Sequence, residues 1–376
     1  MTDALKYKPE LVEEFNQAVE SLFRIEKQKS THVIESEWSQ ENKDNIREYE
    51  FLKTPPVVQI GLVKNLCDLR CHQCWLSSLI KTKKGKPYVM DMVLYKKIID
   101  QIAQIDEQNG SCTYLRYLGS GESLLDPELI EKVTYAKKSI KGAVTLITNG
   151  HRLHTLIPGK KITYAQGLLD SGIDLIDISI DATSDKTYQQ LRGDHLHTYS
   201  MLVKNINYLI KLRDSRHYLT AISGSFLVQP ENFHQAEKFK KTWGKKLDQY
   251  ILRKYHSYRG HIPSKPHQIN DQIGPCAAPF GRLNIMADGI VTGCYLDWTG
   301  EMIIGDFKQP QTKIQDLWQG PMKDMQKAHL SQQKPDLCKN CDGYAAAHPG
   351  VLSYEIIIRN AQIQNLKRQI QKNYDS

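Results

Sequence analysis

Seven of the eight cysteines in this sequence fall into two groups with the spacing of metal ligands. The first is Cys67, Cys71 and Cys74, a C-x3-C-x2-C run inside NLCDLRCHQCW. Thiolates are soft ligands that suit zinc or iron–sulfur clusters. Three of them can cap three corners of a cubane and leave the fourth iron open. A structural zinc site wants a fourth donor; His72 is conceivable, but its spacing is tighter than that of an ordinary zinc finger. The second group is Cys276, Cys294, Cys338 and Cys341, the last two as C-x2-C. Four thiolates can close a cluster with no open iron, or form a zinc ribbon. Cys112 stands apart. It reads as an inert thiol buried beside a strand, with hydrogen-atom donation as its functional alternative.

The rest of the chain must position these groups. Its 376 residues suffice for one large domain with an appendage, or for two domains. No apolar run is long enough to span a bilayer. The N-terminal MTDALKYKPE has neither the apolar core nor the cleavage site of a secretory signal. The expected compartment is the cytoplasm, where cysteines are not read as a disulfide framework. The net charge of +8 comes from basic residues spread along the chain, which argues against a nucleic-acid surface.

Residues 1–55 read as a helical, polar preface, with Leu11, Phe15, Val19 and Leu22 at helical spacing and Pro55-Pro56 closing it. From Val57 strands and helices alternate. Strands are predicted over 57–63, 113–118, 143–147, 175–180, 219–228 and 249–253. Val93, Ile98, Ile102 and Ile105 mark one helix, and others are predicted over 164–170, 198–213 and 232–245. Asp126-Pro127 reads as the N-cap and first residue of a helix running to about residue 138. Repeated β–α units predict an α/β fold with a parallel sheet, here a partial (β/α)6 barrel because six units are too few to close eight strands. Residues 256–275 are rich in Pro, Gly and His and read as a linker or active-site lid. Beyond them Asp288-Gly289 between apolar runs over 282–287 and 290–295 predicts a β-hairpin. A helix over 314–329 follows, then a basic C-terminal helix with Ile356, Ile363, Leu366 and Ile370 on one face. The expected division is 1–55, 56–255, 256–275, 276–345 and 346–376.

Three short segments follow later strands in order: Gly119-Ser120-Gly121-Glu122, Thr148-Asn149-Gly150, and Ser179-Ile180-Asp181 with Arg192-Gly193. Together with the cysteine triad they make residues 57–255 resemble the radical S-adenosylmethionine (radical SAM) superfamily. The resemblance implies a [4Fe-4S] cluster on Cys67, Cys71 and Cys74, with SAM chelating the open iron. It places Gly119, Ser120, Gly121 and Glu122 at the SAM amino group, and Thr148, Asn149 and Gly150 beside the ribose. Ser179, Asp181 and Arg192 fall near the carboxylate and ribose. The residue before the third cysteine is Gln73, where the family has an aromatic or apolar residue near the adenine. The implied chemistry is reductive cleavage of SAM to methionine and a 5′-deoxyadenosyl radical that abstracts hydrogen from a C–H bond. A flavodoxin- or ferredoxin-type donor is the implied electron source.

The later spacing, C-x12-G-x4-C then C-x2-C, is similar to the SPASM extension in its truncated twitch form. No cysteine follows Cys341, so the resemblance implies one auxiliary [4Fe-4S] cluster in a small α+β domain. The extension is similar to that of an aminocyclitol dehydrogenase, where an arginine before the first auxiliary cysteine lies near the substrate hydroxyl. Arg259 is the local match, and Arg253 and His256 join it as candidate catalytic residues. Asp297 and Trp298 are placed to pack against the cluster or line the pocket. The expected activity is oxidation or epimerisation of a small hydroxylated, sugar- or aminocyclitol-like substrate. Modification of a ribosomal peptide or protein is the alternative, although 1–55 is too short and too helical for a leader-binding module. A non-enzymatic zinc protein is the alternative from another class.

Overall fold

The computed structural model describes residues 52–81, 85–193, 196–262, 276–338 and 341, together with Val33–Ile34 and Glu13, Glu14 and Gln17. Most of the expected preface therefore lies outside the described residues. So do positions 263–275 of the expected lid and the C-terminal helix over 346–376.

Among the described residues nine strands precede the second cysteine group: β1 (Val33–Ile34), β2 (Val57–Ile60), β3 (Val63–Lys64), β4 (Tyr88–Val89), β5 (Tyr114–Tyr117), β6 (Val144–Thr148), β7 (Leu175–Ser179), β8 (Ala221–Val228) and β9 (Gln249–Lys254). β2, β5, β6, β7, β8 and β9 lie side by side in that order, all parallel. Both faces of these strands are covered, which is why they read as near-continuous apolar runs. β1 adds a parallel edge beyond β9 and the sheet stays open, so the fold is α/β with a partial barrel. β3 and β4 pair separately.

The covering helices are α1 (Trp75–Lys81), α2 (Met92–Asn109), α3 (Leu129–Ser139), α4 (Tyr164–Asp170), α5 (Asp185–Arg192), α6 (Tyr199–Ser215) and α7 (Ala236–Trp243). α2 shows why these segments are helical. The Asp91 carboxylate accepts the Leu94 N–H at 2.8 Å, satisfying one orphan donor of the first turn. Gly110, at φ +60°, ends the helix in a left-handed cap. Leu94, Ile98, Ile99, Ile102 and Ile105 form the buried stripe. Val93, expected on that stripe, is 80% exposed, because the inward position in the first turn falls to Leu94.

Asp126 does not cap α3 as expected. Its Oδ1 accepts the Glu128 N–H at 2.9 Å, and its Oδ2 pairs at 2.7 Å with the fully buried Lys132. A lysine removed from water needs that carboxylate more than a helix terminus does.

The expected hairpin forms between β10 (Leu283–Ile285) and β11 (Ile290–Thr292), with Gly289 at φ +86° in its turn. A third strand, β12 (Ile303–Asp306), pairs with β11. The hairpin is no separate layer: β10 runs parallel to β2, in register Leu283 to Val58 and Ile285 to Ile60. The barrel sheet thus continues into the C-terminal region, ten strands in all. Among the described residues that region also holds the short α-helices α8 (Ala278–Gly281), α9 (Ile314–Leu317) and α10 (Lys323–Leu330), the last two joined by a π-turn over Trp318–Met322.

Candidate active site

The loop carrying Cys67, Cys71 and Cys74 joins β3 to α1 and is clamped on two sides. On one side the Asn65 N–H donates to Ser120 O (2.7 Å) and the Glu122 N–H to Leu66 O (3.0 Å). A Cβ on Gly121 would stand 2.7 Å from Val63 O and 2.8 Å from Leu66 O, so only glycine lets the two loops approach. On the other side the Arg70 N–H donates to Arg192 O (3.1 Å) and the His72 N–H to Leu191 O (2.8 Å). Gly193 follows α5 at φ +64°, and a Cβ there would lie 2.2 Å from Arg70 O.

Above the loop lies a cavity of about 270 Å³. The three cysteines form part of its wall, and the C-terminal ends of β5, β6 and β7 supply much of the remainder. Glu122 is wholly buried there. Its carboxylate accepts from Thr148 Oγ1 (2.7 Å) and from the N–H groups of Asn149 (2.9 Å) and Leu124 (3.0 Å). Burial and the charge of Asp68 still push its carboxyl up to about 7. Asp181, at φ +53°, pairs with Arg192 Nη2 at 2.7 Å and accepts the Leu227 N–H. The other Arg192 nitrogen, Nη1, reaches Cys71 Sγ at 3.5 Å. Gln73 Oε1 and Arg192 Nε are buried on this wall without a hydrogen-bond partner, leaving polar atoms for a polar ligand.

A second, smaller cavity is lined by Cys276, Cys294, Cys338 and Cys341, with Arg259, His329 and Lys334. Tyr295 and Leu296 line both cavities and form the wall between them. Burial raises the thiols of both groups, Cys74 and Cys276 to about 12 and Cys338 to about 11. Such thiols ionise when a bound metal supplies the compensating charge. Among the described residues no three His, Cys, Asp or Glu side chains converge closely enough to share one metal ion. Cubane caps sit on separate irons and stand further apart than ligands of one ion. The donor sets, with the unpartnered polar atoms on the largely apolar wall of the first cavity, fit a SAM-binding cluster and an auxiliary cluster.

Residues 62–241 match the family model of the radical SAM superfamily, and residues 276–342 match that of an iron–sulfur cluster-binding domain, SPASM. The chain belongs to the radical SAM superfamily. Its radical SAM domain binds SAM and a [4Fe-4S] cluster, and its SPASM domain binds a further iron–sulfur cluster. No curated protein matches the sequence. Several solved structures share the fold. BtrN in complex with AdoMet and 2-DOIA is 18% identical with a TM-score of 0.50, covering 78% of this chain and 96% of its own. anSMEcpe with bound AdoMet is 16% identical with a TM-score of 0.54, covering 85% and 100%. SuiB from Streptococcus suis, bound to precursor peptide SuiA, is 14% identical with a TM-score of 0.55, covering 92% and 85%. No helix among the described residues is long and apolar enough to cross a membrane.

The radical SAM cavity gathers most of the residues singled out in the sequence. Gly119, Gly121, Glu122, Thr148 and Asn149 line it, as do Ser179, Asp181, Arg192, Arg253 and His256. Ser120 and Gly150 do not. Ser120 is buried behind the loop toward Trp298, and Gly150 serves packing, its carbonyl accepting from Asn205 Nδ2 at 3.1 Å. Arg259 is absent from this wall as well. It lines the SPASM cavity and pairs with Asp297 (3.3 Å) and Glu301 (3.1 Å), which explains where those carboxylates draw it. Trp298 lines the first cavity and packs on Tyr258, while Asp297 is fully buried under the strap that carries Arg259.

Cys112 is exposed, not buried. It precedes β5 and so sits at the end of that strand away from Gly119–Glu122. Asp68 was missed: it accepts from Asn149 Nδ2 at 2.7 Å and meets Arg152 at 3.5 Å. His329 was missed too, being one polar residue in an amphipathic helix. The stack of Trp75 on His261 at 3.7 Å has a signal only in hindsight, an aromatic directly after the third cysteine.

Proposed function

We propose that this enzyme oxidises a hydroxyl-bearing carbon of a small, sugar- or aminocyclitol-like substrate to a carbonyl. The observation that carries the reading is the pair of cysteine-walled cavities divided by Tyr295 and Leu296. In this reading Cys67, Cys71 and Cys74 hold the SAM-binding [4Fe-4S] cluster, and Cys276, Cys294, Cys338 and Cys341 hold one auxiliary [4Fe-4S] cluster. Glu122 would hold the SAM amino group, Thr148 and Asn149 its ribose, and Arg192 its carboxylate. When bound, these groups supply a carbon radical that takes a hydrogen atom from a C–H bond, and an acceptor for the electron that oxidation releases, the hydroxyl proton leaving to solvent.

The chain's own residues position and shield. Arg253, held by Asp177 at 2.9 Å, and His256 line the first cavity and would orient the substrate hydroxyl. The Tyr258 N–H donates to His256 Nδ1 at 3.3 Å, so the neutral ring carries its proton on Nε2 and offers a donor. Trp75, Tyr255, Ile262 and Trp298 form a buried apolar cluster that excludes water beside the first cavity. Lys334 puts a cation on the second cavity's wall, favouring added negative charge there, while Arg259 beside it is paired with Asp297 and Glu301.

Oxidation is favoured over thiol-dependent epimerisation by the placement of the eighth cysteine. Cys112 is exposed and separated from the cavity end by the length of β5, about 13 Å at 3.3 Å per residue. With the other seven assigned to clusters, no thiol remains to return hydrogen. Likeness to SuiB is at the level of fold, at 14% identity, and gives the peptide alternative no more than that. The proposed electron donor is a flavodoxin- or ferredoxin-type protein. The test is anaerobic incubation of reconstituted enzyme with dithionite, SAM and polyols or aminocyclitols deuterated at the carbinol carbon. The expected result is deuterated 5′-deoxyadenosine with a stoichiometric carbonyl product. Epimer without carbonyl would refute the oxidation.

A further inference from the structure

His329 on α10 is 1% exposed and lies against the four cysteines of the second cavity. The Cys276 N–H points at its Nδ1, 3.4 Å away, and its Nε2 is 3.8 Å from Cys338 Sγ. A backbone N–H can only donate, so Nδ1 accepts and the ring proton sits on Nε2. A cysteine sulfur bound to iron has lost its proton and can only accept. The one polarity left for the contact is Nε2–H toward sulfur.

We propose that His329 donates a hydrogen bond to the Cys338 sulfur of the auxiliary cluster and thereby raises that cluster's reduction potential. Its ring bridges two ligands, Cys276 through the backbone and Cys338 through sulfur, from a single rigid helix. Hydrogen bonds to cluster sulfurs tune potential, and a donor stabilises the reduced, more negative state more than the oxidised one. The neighbouring Lys334 lines the same wall as a compact positive charge. The role suits a cluster that must accept an electron.

The inference rests on the reading that Cys276, Cys294, Cys338 and Cys341 hold a cluster, so iron is counted first. About four irons per chain in the wild type, where two cubanes give about eight, would break that reading and the proposal with it, whereas about eight with an unchanged midpoint would break the proposal alone. In full-length enzyme with both clusters, the auxiliary midpoint is then measured by redox titration followed by electron paramagnetic resonance. His329→Leu is expected to shift the reduced-to-oxidised ratio about tenfold toward oxidised, a midpoint lower by about 59 mV. His329→Gln, which keeps an N–H, is expected to restore most of it, with the SAM cluster's midpoint unmoved in both. An unchanged midpoint in His329→Leu with its iron retained overturns the proposal. Pulsed resonance on wild-type protein labelled with ¹⁵N-histidine decides the matter even if neither variant folds. Weak coupling to one ring nitrogen is expected; no coupling, or the strong coupling of a nitrogen bound to iron, overturns it.

Discussion

Gly193→Ala tests how the cysteine loop is held. Gly193 sits at φ +64°, and its substituted Cβ would stand 2.2 Å from the Arg70 carbonyl oxygen and 3.1 Å from the Arg70 carbonyl carbon. A left-handed alanine costs about 1–2 kcal/mol. Overpacking against backbone adds about 1–3 kcal/mol. The total of about 2–5 kcal/mol falls on the segment between Cys67 and Cys74, whose anchors are the bonds from Arg70 to Arg192 O and from His72 to Leu191 O. Gly172→Ala is the matched control: φ is +74°, but nothing lies within 4 Å of the new Cβ. It should show the backbone cost alone, with full iron. Gly193→Ala should lose about half its iron on reconstitution, keep the rest, and lose SAM cleavage by at least about 30-fold, since each 1.36 kcal/mol is tenfold. Iron analysis and 5′-deoxyadenosine formation are the assays. Equal iron content and equal cleavage in the two variants would refute the clamp.

Three further outcomes follow from the same geometry. In the apo protein Glu122 is held up to about 7, so its contribution to stability is whole below its ordinary value of 4.5 and is lost as pH rises through 7. An ammonium ligand needs the ionised form, so SAM affinity should rise from pH 6 to 8 by up to about tenfold, measured by calorimetry, and Glu122→Gln should bind weakly with a flat profile. Arg192→Leu strands the buried Asp181 carboxylate and should cost about 3–5 kcal/mol in urea unfolding, whereas loss under 1 kcal/mol would deny the pair its role. Cys112→Ser should leave iron content and turnover unchanged and stability within about 0.5 kcal/mol, because the thiol is exposed and remote from the cavity; lost turnover would reopen epimerisation.

The barrel was legible because its strands are buried on both faces and its helices on one, so apolar runs and stripes alternate in plain sight. Much of the first cavity's lining was legible because its glycines, cysteines and acids cluster at strand ends. What escaped notice depended on long-range competition. Asp126 looked like a helix cap until Lys132, six residues on, claimed its carboxylate. Arg259, expected beside the substrate hydroxyl, pairs with Asp297 and Glu301 and lines the second cavity. The pairing of β10 with β2 joins residues some 225 positions apart, as in the Gln59–Asn284 contact, and no local pattern announces it. α5 was missed because its polar length hides a short buried face of Tyr188 and Leu191, yet it carries Arg192.

The central claim is that one chain builds two cluster sites side by side, one open to SAM and one closed by four thiolates. Iron counted per chain after anaerobic reconstitution tests it directly, in wild type and in two variants. About eight irons are expected in the wild type and about four after alanine replacement of either Cys67, Cys71 and Cys74 or Cys276, Cys294, Cys338 and Cys341. About four irons in the wild type, all lost with the first triad, would contradict it.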